Sequence, residues 1–345
     1  MRYELINLIN YRQDKLIAAF ATIPKDVTIL IASDNSLGSR SGVQLAQAFE
    51  VIPNSVTALF LSDNSLDRRS GRELAEAFAA IPKGISTLGL GSNRLYKKSA
   101  AELTEAFSAI SKSVTTLDLM FNNLGDRRQD ELAQIFAAIP TGVTTLGLDY
   151  SALWLKSEAE LTAVFTALPK GITTLYLAEN DLGNSGAYFA KILPFSVQSV
   201  CLRGETIDLI PFHKARMIEN LQSQLNIIES KAKDLQSRKF SKAHDATITL
   251  YDTLTQLKNK YSSGAIEYPA FKKDSMEAIK IAHKELDQHR GWKEILGNIA
   301  YCILGLGFLY AAYCAYKGKF FDFKTDSAQK LDDLQHSIDP ETPNP

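Results

Sequence analysis

The sequence predicts an α/β protein in which a solenoid of stacked repeats is followed by an all-helical region. Two series of residues predict the solenoid, because each recurs at an interval of 29 residues and a fixed period of this size is typical of stacked repeats. The leucine series is Leu30, Leu59, Leu88, Leu117, Leu146 and Leu175, and the phenylalanine series is Phe20, Phe49, Phe78, Phe107, Phe136 and Phe165. Beyond about residue 205 this period is lost, and apolar residues follow helical spacing.

Each repeat reads as a short strand followed by a helix. Leu59 and Leu61 are two residues apart and therefore point to one face of a strand. Leu74 and Phe78 are four residues apart, so one face of a helix carries both and can cover the strand. Pro82 then ends the helix. One repeat cannot bury its apolar face alone, so neighbouring repeats must stack.

The repeats are expected to occupy residues 27–205, in about seven copies. The expected strands begin at Val27, Val56, Ile85, Val114, Val143, Ile172 and, in a shortened last copy, Val197. Residues 1–26 match only the helical half of a repeat. We therefore expect an N-terminal helical cap with no strand before it, because a solenoid must shield its open end.

The full unit reads x-T-x-L-x-L-x-x-N-x-L, then a polar turn, then E-L-x-x-x-F-x-x-I-P, and it resembles a leucine-rich repeat of the ribonuclease-inhibitor type. The resemblance implies that the asparagine lies inside the coil, hydrogen-bonded to loop backbone. This predicts a structural ladder of Asn35, Asn64, Asn93, Asn122 and Asn180. Ser151 and Glu205 stand at the ladder position of two other repeats, where we expect a different loop geometry.

The resemblance also implies that residues between and just after the strand leucines line a concave face that binds other proteins. The candidate binding residues are Ile31, Phe60, Asp63, Asp118, Met120, Phe121, Asp149, Tyr150, Tyr176 and Glu179. Exposed aromatic residues beside acidic ones suit a protein partner with a basic or mixed surface. The alternative is that these are solvated side chains of a scaffold that binds elsewhere.

Basic pairs occur in the turns at residues 67–69, 96–98 and 126–128. They are able to form a stripe that meets phosphate or an acidic protein. Neighbouring acidic and serine residues favour the alternative, a solvated loop edge.

Charge and reactive residues give no sign of nucleic acid, metal or catalysis. The net charge of the 345 residues is −1, and the three cysteines form no CxxC pair. The five histidines have no metal-ligand spacing, and no phosphate-binding or catalytic motif is present. We therefore expect no catalytic residue, no metal site and no cofactor. The first residues do not read as a Sec signal peptide.

Residues 212–290 are expected to be helical and coiled-coil-like. Apolar residues from 218 to 235 alternate three and four apart, which is typical of a packing seam. This seam allows self-association, although packing within the chain is the preferred interpretation.

Residues 295–316 are 22 residues without a charge, long enough for a transmembrane helix. A buried hairpin and a helix lying in the membrane interface are the alternatives, and lysine and arginine on both flanks leave the orientation open. Residues 317–345 read as a polar tail.

The segment LSDNSLDRRSGRELAEAFAAIPKGISTL resembles the repeats of leucine-rich-repeat effectors from intracellular bacterial pathogens. A helical region and a C-terminal apolar segment without a Sec signal are similar to effectors delivered by type IV secretion. The resemblance implies a non-enzymatic virulence adaptor that binds a host protein while anchored to a membrane. The alternatives are a bacterial membrane-associated scaffold with no host role and an enzyme with its site in residues 206–290.

Overall fold

The computed structural model describes residues 1–304, and the chain divides into two compact units at residues 212 and 213. The first unit is called the solenoid below. The described part of the second is called the helical unit. The architecture confirms the expected α/β repeat solenoid and helical C-terminal region.

In the described residues the solenoid holds one sheet of nine strands, ordered β1 to β9 as in the chain. The strands are β1 Arg2–Glu4, β2 Ile29–Ile31, β3 Ala58–Phe60, β4 Thr87–Gly89, β5 Thr116–Asp118, β6 Thr145–Gly147, β7 Thr174–Tyr176, β8 Ser199–Leu202 and β9 Glu205–Asp208. Strands β1 to β8 pair in parallel. Leu30 pairs with Leu59, and the register continues repeat by repeat, because each unit has the same length.

A short 3₁₀ turn and a helix follow each of the first six strands. The helices are α1 Gln13–Ala21, α2 Gly42–Glu50, α3 Gly71–Ala79, α4 Ala100–Ser108, α5 Gln129–Ala137 and α6 Glu158–Thr166, and α7 Gly186–Ile192 follows β7. The strand leucines and the helix phenylalanines together form one continuous buried core. Helices α2, α3, α4 and α6 begin with a capping box, in which a serine and the residue three positions later satisfy each other's backbone amides.

The expectation of an N-terminal cap without a strand is wrong. Arg2–Glu4 form β1, in which Tyr3 pairs with Leu30. The amide of Leu5 continues the pairing with a 2.8 Å hydrogen bond to the carbonyl of Ile31. This first copy was missed because Tyr3 stands 27 residues before Leu30 rather than the regular 29.

The structure places the asparagine ladder inside the coil. In Asn64, the side-chain oxygen accepts the amides of Asn35 and Leu37 at 3.0 and 3.2 Å. Its side-chain nitrogen donates to the carbonyls of Ala32 and Ser62 at 2.8 and 3.1 Å. The five ladder residues are at most 2% exposed: Asn35, Asn64, Asn93, Asn122 and Asn180. Each one joins two neighbouring repeats through backbone groups that water cannot reach.

The different loop geometry expected at Ser151 is not found. Tyr150 and Ala152 are left-handed, with φ of 52° and 57°, like the residues that flank the ladder asparagines. The carbonyl of Ser151 accepts the amide of Gly125 at 2.7 Å, as the carbonyl of Asn64 accepts that of Gly38 at 2.8 Å. The backbone is conserved along the stack, and only the side chain is too short to continue the ladder.

The basic turns are not simply a solvated edge. Arg127 is 8% exposed, and its Nη2 donates to the carbonyls of Leu95 and Tyr96 at 3.0 and 3.1 Å, as well as to that of Lys98. Arg40 makes the corresponding bonds to Leu8 and Ile9. The arginine at this position of the repeat therefore holds the 3₁₀ turn of the preceding repeat, whereas the next residue, Arg128, is exposed.

The sheet of the solenoid extends three residues beyond the expected end at residue 205, because β9 ends at Asp208. Arg203 and Gly204, with φ of 42° and 88°, form a two-residue turn between β8 and the antiparallel β9. Two successive left-handed residues match the twist of a hairpin. The hairpin gives the last parallel strand a hydrogen-bonding partner.

The helical unit consists of α8 Ile210–Ser237, which begins at the end of the solenoid, α9 Ser241–Ser262, α10 Tyr268–Leu286 and α11 Trp292–Ile303. The predicted seam in α8 is buried: Leu221, Leu225, Ile228, Ala232 and Leu235 are at most 3% exposed. Residues of α8 reach α9, for example through the contact of Lys258 Nζ with Gln222 Oε1. These five residues are therefore packed within the chain, which agrees with the preferred interpretation of the seam.

The expected transmembrane segment is only partly described. Its first residues lie in α11, where Leu296, Ile299 and Ile303 are fully buried and the Tyr268 hydroxyl donates to the carbonyl of Ile303 at 3.0 Å. Across residues 1–304, no helix combines the length and apolar character that crossing a bilayer requires. Residues 305–316 and the predicted polar tail, residues 317–345, lie outside the described residues.

Candidate functional site

One face of the solenoid sheet is free of helices and is called the open sheet face. Leu59 and Leu61 point into the core with no exposed surface, so Phe60 between them points to the other side and is partly exposed. This is the surface that the sequence predicts to be concave. The candidate residues Ile31, Phe60, Asp118, Met120, Asp149 and Glu179 are half-buried on it, whereas Asp63, Phe121, Tyr150 and Tyr176 are exposed.

Three exposed aromatic side chains lie on neighbouring repeats of this face. Phe121 is 44% exposed, Tyr150 is 40% exposed and Tyr176 is 43% exposed. The rings of Phe121 and Tyr150 stack with centroids 4.1 Å apart and an interplanar angle of 13°. The backbone supports the stack, because the amide of Phe121 donates to the carbonyl of Asp149 at 3.0 Å. The stacked pair is thus exposed to solvent just beyond the C-terminal ends of the neighbouring strands β5 and β6.

Phe121 and Tyr150 have an unfavourable backbone conformation. Both have φ near 55°, the left-handed region that bulky side chains rarely adopt. The same position in the other repeats is Asp34, Asp63, Ser92 or Glu179, and it is left-handed in each of them. The repeat geometry imposes this conformation, and only two repeats place an aromatic residue in it.

Glycines give the side chains of the open sheet face room to lie sideways. A Cβ atom on Gly89 would lie 2.6 Å from Cδ1 of Phe60, and one on Gly147 would lie 2.6 Å from Oδ1 of Asp118. Phe60 and Asp118 therefore lean over the strand of the next repeat. This arrangement fixes the direction of both side chains before any partner arrives.

Two carboxyl groups on this face are poorly solvated. Burial raises the pKa of Asp118, although its Oδ1 accepts the amide of Met120 at 2.9 Å. Burial also raises the pKa of Asp149, whose Oδ1 accepts the amide of Ala178 at 2.6 Å, and the charges of Asp118 and Glu179 raise it further. Among the described residues, neither Asp118 nor Asp149 has an ion-pair partner.

The two ends of the face differ from its centre. At the C-terminal end, Glu179 is paired with Arg203 of the hairpin at 2.6 Å. Toward the N-terminus, a cavity of about 360 Å³ that opens to solvent is lined by Asp63, Ser65, Ser92, Arg94 and Phe121. In residues 1–304, no three His, Cys, Asp or Glu side chains come together as a set of metal ligands.

Comparison with known proteins supports the interpretation of the repeats. The crystal structure of the leucine-rich repeat-containing protein LegL7 from Legionella pneumophila is similar to this chain, with 40% sequence identity and a TM-score of 0.54. The match covers 59% of this chain and 65% of the LegL7 chain, just under two thirds of the latter. No protein-family profile matches the chain, and no curated protein sequence matches it.

The solenoid is built of leucine-rich repeats. The strand pairing at 29-residue register, the buried asparagine ladder and the likeness to LegL7 all agree on this. All ten candidate residues are half-buried or exposed, and their role in binding stays a prediction.

Sequence reasoning missed two features of this face. The sequence analysis assigns no role to the glycines, whereas Gly89 and Gly147 leave the space into which Phe60 and Asp118 lean. Arg203 was missed because it belongs to a hairpin beyond the last full repeat. The sequence pattern that predicts this hairpin is the pair Arg203-Gly204 between two short strand-like segments, which is typical of a two-residue turn.

Proposed function

We propose that the leucine-rich repeats are a non-enzymatic module that binds a protein partner through the open sheet face. The observation that carries this proposal is the exposed stack of Phe121 and Tyr150 in left-handed backbone. A bulky residue in this region costs on the order of 1 kcal/mol or more. Aspartate, serine or glutamate occupies the same position in other repeats, so the repeat fold does not require an aromatic residue there.

The surface has the composition of a recognition site rather than a catalytic one. Aromatic anchors surrounded by polar groups carry most of the energy in protein interfaces, and truncating one costs about 2 kcal/mol or more. Phe121, Tyr150 and Tyr176 supply such anchors, and Asp118 and Asp149 supply polar groups between them. These side chains include no nucleophile with a neighbouring base, so binding is the simpler role.

We further propose that the partner is a host-cell protein and that this chain is an effector secreted by an intracellular bacterium. The support is the 40% identity to a leucine-rich repeat protein of Legionella pneumophila. The alternative is a bacterial membrane-associated scaffold with no host role. A translocation reporter fused to the chain distinguishes the two, because an effector delivers the reporter into infected cells and a scaffold does not.

The test of binding is affinity capture from a eukaryotic lysate, with the full-length chain as bait. A second bait carries Phe121→Asn and Tyr150→Asn, which remove the stack and place a residue that tolerates left-handed backbone. A control bait carries Trp154→Ala, which removes a 56% exposed aromatic side chain from the 3₁₀ turn Leu153–Leu155. We expect one protein on the wild-type and control baits only. Retention by the double variant contradicts the proposed site.

Membrane attachment through residues 295–316 is the finer part of the proposal. Its support is the run of 22 uncharged residues, of which the first ten are 295–304. Extraction at alkaline pH tests it. An anchored chain stays in the membrane pellet, and release into the supernatant without detergent contradicts the anchor.

A further inference from the structure

The carboxyl groups of Asp118 and Asp149 are arranged to receive a positive charge. Each uses Oδ1 to accept a backbone amide, from Met120 and from Ala178, and neither forms an ion pair among the described residues. A buried carboxylate loses hydration free energy, and a cation that takes the place of the lost water restores part of it. In agreement with this, burial raises the pKa of both groups.

The position of this acidic pair is fixed by its surroundings. Gly147 leaves the space that Asp118 Oδ1 fills, and Ala178 holds Asp149 from the next repeat. Glu179 lies close enough to affect the pKa of Asp149, but Arg203 already neutralises it at 2.6 Å. The uncompensated charge is therefore centred on Asp118 and Asp149.

The aromatic stack adjoins the acidic pair. Tyr150 follows Asp149 directly in the chain, and the amide of Phe121 donates to the carbonyl of Asp149. Cations are attracted to the face of an aromatic ring, and this attraction grows when the cation is desolvated. The two features together describe a surface for a group that is both planar and positive.

We propose that the open sheet face recognises an arginine-containing basic segment of its protein partner, with the guanidinium group at Asp118 and Asp149 and its plane against the Phe121–Tyr150 stack. This inference rests on the proposed function and names the chemistry of the partner. Arginine fits better than lysine, because its planar group stacks on rings and donates to a carboxylate through two parallel N–H groups. Charge complementarity and the π surface thus select the same side chain.

The test uses the full-length chain and fluorescein-labelled hexa-arginine, hexa-lysine and hexa-glutamate peptides in an anisotropy titration. We expect hexa-arginine to bind at least threefold more tightly than hexa-lysine and hexa-glutamate not to bind. Asp149→Asn is expected to weaken hexa-arginine binding about tenfold. Asp130→Asn, which removes an exposed carboxylate on helix α5, is the matched control and is expected to change binding less than twofold.

Folding is checked separately, because Asp149→Asn removes a charge that the folded chain solvates poorly. We expect the urea midpoint of this variant to equal or exceed that of the wild type. Equal loss of affinity in Asp130→Asn and Asp149→Asn overturns the inference, since it indicates general attraction to an acidic surface. Equal affinity for hexa-arginine and hexa-lysine also overturns it.

The same variants separate this inference from the proposed function. A captured partner that is lost with Phe121→Asn and Tyr150→Asn but retained with Asp149→Asn supports a protein-binding face and overturns arginine recognition. Hexa-arginine binding that depends on Asp149, without any captured protein, supports the chemistry of the site and contradicts the proposed host partner.

Discussion

Replacing Ser151 with asparagine is expected to stabilise the solenoid, because it repairs the one internal gap in the asparagine ladder. Ser151 has no exposed surface, and its hydroxyl has no hydrogen-bond partner among the described residues. In the regular repeats, one asparagine oxygen accepts two amides of the preceding repeat, as Asn93 does for Asn64 and Leu66 at 3.0 and 3.3 Å. Ser151 is too short to do the same for Asn122 and Leu124.

The magnitude follows from counting the new bonds. The variant side chain is expected to accept the amides of Asn122 and Leu124 and to donate to the carbonyl of Leu119, by analogy with Asn122 and the carbonyl of Leu90 at 3.0 Å. Three buried hydrogen bonds at about 1 kcal/mol each, less about 1 kcal/mol for ordering the side chain, leave about 2 kcal/mol. The preserved left-handed backbone on both sides of Ser151 provides the required geometry.

Urea unfolding followed by circular dichroism measures this gain, and Ser151→Ala is the control. Ser151→Ala removes the unpaired hydroxyl without adding bonds, so its free energy of unfolding is expected to stay within about 1 kcal/mol of the wild type. Amide exchange at Asn122 and Leu124 is expected to slow in Ser151→Asn only. A destabilised Ser151→Asn, or unchanged exchange at these two amides, refutes the reasoning.

Three further predictions concern the turns that link strands and helices. Arg127→Met is expected to cost about 2–3 kcal/mol of unfolding free energy, because three carbonyls lose their buried donor, and urea unfolding checks it. Arg128→Ser is expected to raise the unfolding free energy by about 1 kcal/mol in the same assay, because it completes a capping box with Glu131. The Oε2 atom of Glu131 already accepts the Arg128 amide at 3.2 Å. An unchanged unfolding free energy would contradict this prediction. The third concerns Glu102: burial raises its pKa, but hydrogen bonds from Lys98 and Ser99 outweigh this and lower the pKa from 4.5 to about 2. The ionised form of Glu102 therefore stabilises the fold above pH 4.5. The difference in unfolding free energy between wild type and Glu102→Gln is expected to disappear as the pH falls to about 2. A difference that does not change with pH would contradict the lowered pKa.

Most of the fold follows from the period alone. Leucines at 29-residue spacing place every regular strand, and the helix phenylalanines place the opposite layer. The first strand was missed because a repeat that is two residues short breaks the spacing of Tyr3 and Leu30. The hairpin after β8 was missed because it does not repeat at all. Periodicity predicts what recurs, and the ends of a solenoid are where its pattern changes.

The candidate site shows where sequence reasoning stops. Alternation along the strand predicts that Phe60 and Asp118 face away from the core, and the structure agrees. It does not predict that they lean over Gly89 and Gly147, since this depends on side-chain direction between repeats. In the sequence, Arg127 and Arg128 look like one basic pair, although Arg127 is buried and Arg128 is exposed. Only three-dimensional distances separate these cases.

The most direct test of the account is site-specific photocrosslinking from the open sheet face. Tyr150→p-benzoylphenylalanine keeps an aromatic ring in the stack, and Trp154→p-benzoylphenylalanine places the same probe four residues away in the 3₁₀ turn. After irradiation of the full-length protein in a eukaryotic lysate, we expect one discrete protein adduct from position 150 and none from position 154. Adducts from position 154 alone, or the same adducts from both positions, would contradict recognition through the open sheet face.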